Sequence, residues 1–253
     1  MARAILNVQN LHKSFGGLIA IDDCSFEVES GTIFGIIGPN GAGKTTLFNM
    51  LTGFLSANSG TITFDGREVN RLKPHQVVEL GIARTFQVMK PYYEMTVWET
   101  LQVSRQCKRV RSRYSDAAII NRMNMDLLAR LGLEDKADML VDELTQGDLR
   151  LVDIGRALAT EPQALFLDEP FSGLGGEASD RLSALLTSLR DDGVTIVIIE
   201  HRLRELMRLV STVMAINFGA VLAKGTPEEI VKNPDVIEAY LGRSGGSLSA
   251  TAS

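Results

Sequence analysis

Residues 32–46 read ThrIlePheGlyIleIleGlyProAsnGlyAlaGlyLysThrThr, an apolar run that leads directly into a glycine-rich loop. The spacing G-x-x-x-x-G-K-[ST] is met by Gly38, Gly43, Lys44 and Thr45. Glycines let the backbone curl so that successive N–H groups point at phosphates, and the helix that follows adds its positive end. Lys44 is predicted to reach the β- and γ-phosphates, and the Thr45 hydroxyl to ligate Mg²⁺. The stretch therefore predicts a strand, a phosphate-binding loop and a helix that together hold a nucleoside triphosphate.

Composition and charge narrow the class of protein. The chain has 253 residues, 45% of them hydrophobic, so it can form one large α/β domain or two lobes around a full core. Its net charge of −5 argues against broad nucleic-acid binding. Cys24 and Cys107 lie in unrelated contexts, which favours a reducing cytosolic compartment. No signal peptide and no apolar run near the roughly 20 residues of a membrane span is found, so we expect a soluble protein that can dock on a membrane partner.

Strand patterns occur at both ends of the chain and predict one α/β core. Residues 1–86 contain alternating runs, and the AspGly pair at 65–66 predicts a hairpin turn. The runs at 164–168 and 195–200 are apolar on both faces, as central parallel strands tend to be. A second hairpin is predicted around residues 217–220.

The segment between these strand-rich parts, about residues 92–160, has helical patterns. Thr96 and Glu99 predict a capping box at the start of its first helix. Ser115 is predicted to cap the next long helix, which Gly132 ends.

We therefore expect a single domain over residues 1–242. In this interpretation a core lobe of residues 1–88 and 161–242 is interrupted by a helical lobe at about 89–160. The Gly- and Ser-rich residues 243–253 are predicted to form a flexible tail.

Polar side chains follow the buried strands and predict the second half of the site. Asp168 and Glu169 end one apolar run, at the sheet edge where ligands bind. Asp168 is suited to holding Mg²⁺, and Glu169 to orienting and deprotonating an attacking water. His201 follows the next buried strand and is predicted to reach a γ-phosphate, while Gln87 could bind Mg²⁺ or water through its amide oxygen. Taken alone, a histidine is usually structural or merely exposed, and the glutamine alone is uninformative.

Five motifs in this order resemble those of the ATP-binding subunit of ABC transporters. They are GPNGAGKTT at 38–46, Gln87, ELTQGDLR at 143–150, LFLDEP at 165–170 and IIEH at 198–201. The resemblance covers about residues 5–242. It implies an α/β fold, the P-loop NTPase ABC cassette, with a mixed and parallel core sheet, an N-terminal antiparallel β subdomain and a helical subdomain insert. It also implies hydrolysis of ATP with Mg²⁺ as the metal cofactor.

The same resemblance implies a role for each motif residue. Glu169, His201 and Lys44 are the implied catalytic groups, and Phe15 is the aromatic residue that stacks on adenine, with ordinary core packing as its alternative. The implied nucleotide-binding set is Phe15, Gly38, Pro39, Asn40, Gly41, Ala42, Gly43, Lys44, Thr45, Thr46, Gln87, Thr145, Gln146 and Gly147. The implied Mg²⁺ ligands are Thr45, Gln87 and Asp168.

Partners follow from the resemblance as well. Each ATP is expected to lie between residues 38–46 of one subunit and 145–147 of a second ATP-binding subunit, either the same chain or a paralogue. The apolar, aromatic residues 89–96 are expected to receive an integral-membrane permease subunit. A solute-binding protein would act indirectly, no nucleic acid is expected, and the implied location is the cytoplasmic face of the inner or plasma membrane.

Three stretches, at 14–22, 81–87 and 224–242, are similar to the branched-chain amino-acid uptake subgroup. Lipopolysaccharide-export ATPases have a similar carboxyl-terminal run, and urea and amide importers are close relatives, so these stay open. A soluble ABC ATPase of DNA repair or ribosome work is a further alternative. A P-loop kinase or GTPase leaves the motif at 143–150 and His201 unexplained.

The chain departs from the family pattern at two loops. The usual signature LSGGQ is here LeuThrGlnGlyAsp at 144–148, and the usual SGLD is SerGlyLeuGly at 172–175. Asp148 could cap the helix or repel phosphate, and Gly175 lacks a carboxylate that would help to join two subunits. We therefore expect a slow ATPase, in which D148Q together with G175D raises the rate of hydrolysis.

Overall fold

The fold is built on two sheets, in a computed structural model that describes residues 3–86 and 92–241, with side chains up to residue 240. The strands are β1 (Ala4–Phe15), β2 (Leu18–Glu29), β3 (Ile33–Ile37), β4 (Ser59–Phe64), β5 (Arg67–Glu68), β6 (Ile82–Arg84), β7 (Ala164–Asp168), β8 (Thr195–Ile199), β9 (Thr212–Asn217) and β10 (Ala220–Gly225). The helices are α1 (Lys44–Leu51), α2 (Pro74–Leu80), α3 (Val97–Ser104), α4 (Lys108–Arg111), α5 (Ala117–Leu131), α6 (Gln146–Leu158), α7 (Gly176–Asp191), α8 (Leu203–Met207), α9 (Pro227–Lys232) and α10 (Pro234–Leu241). Short 3₁₀ turns lie at Glu134–Lys136 and Val141–Glu143.

A six-stranded sheet in the order β10-β9-β3-β8-β7-β6 forms the centre of the molecule. Its strands run parallel except β10, which pairs antiparallel with β9 through the predicted hairpin. Every residue of β3, β7 and β8 is buried, because hydrophobic residues cover both faces of the sheet. Ile33 and Ile37 belong to the core on one face, and Phe34 and Ile36 to the core on the other. The carboxyl ends of the three central strands therefore meet at one edge.

A second, antiparallel sheet has the order β2-β1-β4-β5 and consists of residues before α2. Asp65 and Gly66 connect β4 to β5 with φ angles of 48° and 77°. Positive φ at both turn positions is what an AspGly hairpin provides, so this predicted turn is confirmed.

Helices α3 to α6 fill the chain between β6 and β7, as the helical patterns predict. Thr96 and Glu99 form the predicted capping box. The predicted cap of α5 is wrong by one residue, because the side chain of Asp116, not Ser115, accepts the hydrogen bond of the Ala118 N–H at 2.8 Å. Gly132 ends this helix in the left-handed conformation, as expected. Within residues 3–86 and 92–241, no helix combines the length and apolarity needed to cross a membrane.

Candidate nucleotide-binding site

The loop between β3 and α1 can be built only with glycine at two positions. A Cβ atom on Gly38 would lie 2.2 Å from the carbonyl oxygen of Ile216, and one on Gly43 would lie 2.5 Å from that of Ala20. Gly43 also precedes α1 with φ 103°, and it offers no side chain to cap the helix. The N–H groups of the first turn of α1 are therefore oriented toward whatever anion enters the loop.

Lys44 lies across the loop rather than in solvent. Its Nζ donates hydrogen bonds to the carbonyl oxygens of Gly38 at 2.6 Å and Pro39 at 2.9 Å. The residue is only 7% exposed, and burial lowers the pKa of its ammonium group while the charges of Glu169 and Asp168 oppose that change. A positive charge is thus held beside the N-terminus of α1, where a phosphate group would neutralise it.

The two predicted carboxylates stand at the carboxyl end of β7. Asp168 is the last residue of the strand and is 3% exposed. Burial raises the pKa of its carboxyl group, and the guanidinium of Arg84, which donates to Oδ2 at 3.0 Å, opposes this shift. Glu169 follows with φ 49°, and its N–H donates to the carbonyl oxygen of Ile199 at 2.9 Å. This left-handed backbone conformation, uncommon for a residue other than glycine, comes directly after the last residue of β7.

His201 lies beside Glu169, because β8 is the parallel neighbour of β7. Its Nε2 is 2.8 Å from Oε1 of Glu169. The buried carboxylate of Glu200 accepts hydrogen bonds from the N–H groups of His201, Arg202 and Phe171 at 2.8, 3.0 and 3.1 Å. The segment that carries the histidine is therefore fastened to the loop that follows β7.

A cavity of about 460 Å³ joins most of the predicted site residues. Its lining residues are Phe15, Leu18, Ile19, Ala20, Asn40, Gly41, Ala42, Gly43, Lys44, Thr45, Thr46, Glu169 and His201. Phe15 is 48% exposed, so the alternative of core packing is wrong for this residue. Gly38, Pro39, Asp168 and residues 145–147 do not line the cavity, and Gln87 lies outside the described residues.

The motif at 144–148 starts α6. Thr145 caps this helix by accepting a hydrogen bond from the Asp148 N–H at 3.2 Å, and its hydroxyl donates back to Asp148 Oδ2 at 2.7 Å. Lys136 Nζ donates to the same oxygen at 2.7 Å. Burial alone would raise the pKa of Asp148, but these hydrogen bonds hold it below its usual value. Of the two roles considered for Asp148, the structure shows it within the helix cap, with its charge paired.

Some residues that hold the site are given no role by the sequence motifs. Arg84, Lys136 and Arg202 each contact a motif residue or its neighbouring loop, and of the three only Arg84 lies in a stretch singled out above, at 81–87. Arg202 donates to the carbonyl oxygens of Phe171 and Leu174 at 3.0 and 3.1 Å. Its position next to His201 is the one clue that the sequence offers.

The phosphate-binding loop and the two carboxylates lie within a stretch that matches a known family. The family model described as ABC transporter matches residues 21–172. The chain belongs to the ABC transporter family. It is an ATP-binding subunit of that family and therefore an ATPase, so the expected family, fold and activity are confirmed. A second model, described as branched-chain amino acid ATP-binding cassette transporter, matches residues 220–245 of this ABC subunit.

Relatives of this ABC subunit match over nearly its whole length. The high-affinity branched-chain amino acid transport ATP-binding proteins LivG of Salmonella typhimurium and BraF of Pseudomonas aeruginosa are each 39% identical, over 96% of this chain and 100% of theirs. A crystal structure of the ADP conformation of an ATP-binding cassette of an ABC transporter has a TM-score of 0.86 at 32% identity. It covers 95% of this chain and 100% of the other. A nucleotide-free cassette gives 0.86 at 31% identity, with the same coverage.

Proposed function

We propose that this ABC ATPase powers the import of branched-chain amino acids or related small solutes, as a peripheral subunit at the cytoplasmic face of the membrane. The observation that carries the proposal is the agreement between the match of the carboxyl-terminal segment and the matches of the whole chain. The carboxyl-terminal residues 220–245 match the branched-chain amino acid model, and the relatives that match the whole chain are branched-chain amino acid transport proteins.

Within this proposal, ATP occupies the 460 Å³ cavity. Phe15 stacks on adenine, residues 38–46 surround the phosphates, and Lys44 neutralises them. The loop has no space for a side chain at Gly38 or Gly43, as expected of a backbone that surrounds phosphate groups closely. Thr45, Asp168 and Gln87 would hold Mg²⁺. Hydroxyl, carboxylate and amide oxygens are the ligands this ion prefers, and it typically takes few protein ligands beside phosphates and waters.

The proposed reaction uses Glu169 as the general base. Mg²⁺, when bound, neutralises charge on the phosphates. Glu169 accepts a proton from a water molecule while the water oxygen forms a bond to the γ-phosphorus. The bond between the γ-phosphorus and the β–γ bridging oxygen breaks, which gives ADP and phosphate. His201, 2.8 Å from Glu169, is suited to orient this carboxylate and to hydrogen-bond the γ-phosphate.

We further propose that two subunits enclose each ATP. Residues 145–147 lie at the N-terminus of α6, a 13-residue helix, and do not line their own chain's cavity. A helix N-terminus attracts an anion, so the γ-phosphate bound by a second subunit would satisfy it. Hydrolysis removes that shared charge and lets the subunits separate.

Replacing Lys136 with glutamine is expected to lower the ATPase rate about two- to fivefold. This factor corresponds to the interaction free energy of one partly exposed ion pair. The reason is that Asp148 would then present an unpaired carboxylate to the partner's phosphate. Steady-state ATP hydrolysis measures this effect. The K136Q/D148Q double variant removes both charges and should recover the rate; equal loss in both variants would contradict the explanation.

Tyr92 and Tyr93 support a docking surface for the permease. They are 40% and 58% exposed, next to the exposed Glu94, and the guanidinium of Arg156 lies 4.4 Å from the Tyr92 ring centroid. Residues 89–91 of the predicted surface lie outside the described residues.

Reversing the charge of Glu94 with E94K is expected to weaken co-purification with the permease subunits while ATP affinity is kept. The residue is exposed and does not line the nucleotide cavity. Pull-down of the assembled complex and nucleotide titration of the isolated subunit are the two measurements. Undiminished assembly would count against this docking surface.

Reconstitution in proteoliposomes with the permease subunits and a solute-binding protein tests the proposed function. We expect ATP hydrolysis to be stimulated by leucine, isoleucine or valine, with uptake of the same amino acid. Stimulation by a lipopolysaccharide or by no solute at all would overturn the proposal.

A further inference from the structure

Arg84 is a buried charge at the edge of the central sheet, and the sequence motifs give it no role at the site. It is the last residue of β6, and its side chain is 6% exposed. Strand β6 is the parallel neighbour of β7, which ends at Asp168. The guanidinium NH2 donates to Oδ2 of that aspartate at 3.0 Å, and the Asp168 side chain is itself 5% exposed.

The same guanidinium also reaches the helix that follows the phosphate-binding loop. Its NH1 donates to Oδ1 of Asn49 in α1 at 2.7 Å and to Oγ1 of Thr52 at the end of that helix at 3.0 Å. One planar group therefore connects α1 to the end of β7. Only arginine offers several N–H donors in a fixed fork that can make such a connection.

Three aromatic rings hold the guanidinium in place. The centroids of Phe86, Phe48 and Phe54 lie 5.1, 5.5 and 5.6 Å from the guanidinium carbon. Phe54 and Phe86 also pack edge to face, with centroids 5.3 Å apart. Cation–π contacts of this kind restrict the side chain to one orientation.

Burial of two opposite charges makes their mutual geometry important. Removing water from an arginine and an aspartate is unfavourable, and only a close and well-oriented pair offsets that penalty. Two apolar side chains at these positions could pack at this edge of the sheet without any such desolvation penalty. The arrangement is therefore better explained by what it does to the Asp168 carboxylate than by stability.

We propose that Arg84 is a positioning residue that holds the Asp168 carboxylate in the orientation required for Mg²⁺ and ties that orientation to α1 and the phosphate-binding loop. The inference rests on the proposed Mg²⁺·ATP site. Residues that orient a metal ligand typically change metal affinity by about 10- to 100-fold when they are replaced.

Arg84→Lys tests this proposal, because lysine keeps the positive charge but cannot contact Asp168, Asn49 and Thr52 in one plane. Binding of ATPγS is measured by calorimetry at graded free Mg²⁺ and in EDTA. We expect the free Mg²⁺ concentration that gives half of the Mg²⁺-dependent increase in ATPγS affinity to rise about tenfold. The affinity for ATPγS in EDTA should change less than about twofold. An unchanged Mg²⁺ requirement would overturn the proposal.

Arg105→Lys is the matched control. Arg105 is also buried, with its side chain 2% exposed, and it pairs with Glu161 and Asn124, none of which lines the nucleotide cavity. It should lower the melting temperature without moving the Mg²⁺ requirement. An equal shift in both variants would mean that loss of packing, not carboxylate position, is responsible, and would also overturn the proposal.

Phe54 offers a second variant that disturbs the guanidinium of Arg84 less severely. If Arg84→Lys does not fold, Phe54→Ala removes one ring at a position that is 51% exposed, and a rise of about two- to threefold in the Mg²⁺ requirement is then expected. No rise in that variant would contradict the proposal. If wild-type protein binds ATPγS without any Mg²⁺ dependence, the proposed metal site fails and this inference fails with it.

Discussion

Replacing Glu169 with glutamine is expected to reduce ATP hydrolysis by about 10²- to 10⁴-fold, the range for loss of a general base. Glutamine has the same size as glutamate and keeps an oxygen that can lie 2.8 Å from His201 Nε2. It cannot accept the proton of the attacking water at neutral pH. The geometry of the site is thus conserved and the chemistry alone is removed.

Phosphate release and nucleotide titration separate these two effects. ATP affinity should stay within about threefold of wild type, since P-loop residues 38–46 and Phe15 are unchanged. Glu228→Gln, at an exposed position in α9, is the matched control and should hydrolyse ATP at the wild-type rate. A Glu169→Gln variant that keeps more than about a tenth of the wild-type rate would mean that another group deprotonates the water.

Replacing Lys44 with alanine is expected to weaken ATP binding by about 10- to 150-fold. The estimate corresponds to the 1.5–3 kcal/mol of a hydrogen bond to a charged group. In the structure the ammonium group donates to Gly38 and Pro39, and the lysine residue is only 7% exposed. A water molecule therefore cannot fully replace the Lys44 ammonium group beside a bound phosphate.

Calorimetric titration with ATP measures the loss, and circular dichroism controls for folding. Alanine favours helix at the first position of α1, so the helix itself should be retained. Lys232→Ala, in an exposed last turn of α9, should bind ATP like wild type. An affinity of Lys44→Ala within about twofold of wild type would show that the loop does not hold phosphate through this side chain.

Much of the site could be predicted because its parts are local in sequence. The loop at 38–46 follows its strand directly, Asp168 is the last residue of a buried strand, and Glu169 and His201 come just after buried strands. Parallel neighbours then bring these positions to one edge without further information. The error at α5 has a simple reason, since Ser115 and Asp116 are adjacent and both are good caps, so composition cannot choose between them.

Contacts between distant residues could not be predicted in this way. Arg84 and Asp168 are separated by 84 positions, and their contact depends on the order of β6 and β7 in the sheet. Lys136 reaches Asp148 because a 3₁₀ turn ends beside α6. Neither arginine nor lysine has a local pattern that distinguishes such a position from an exposed one. These long-range contacts are where the structure adds to the sequence.

The central claim is that ATP is enclosed between two copies of the subunit and that Glu169 permits their release. The most direct measurement is the solution mass of the Glu169→Gln variant with Mg²⁺ and ATP, by light scattering. We predict twice the 27.6 kDa of one chain with ATP, and a single chain with ADP. A particle that stays at the mass of one chain with ATP, both alone and beside the permease subunits, would contradict the account.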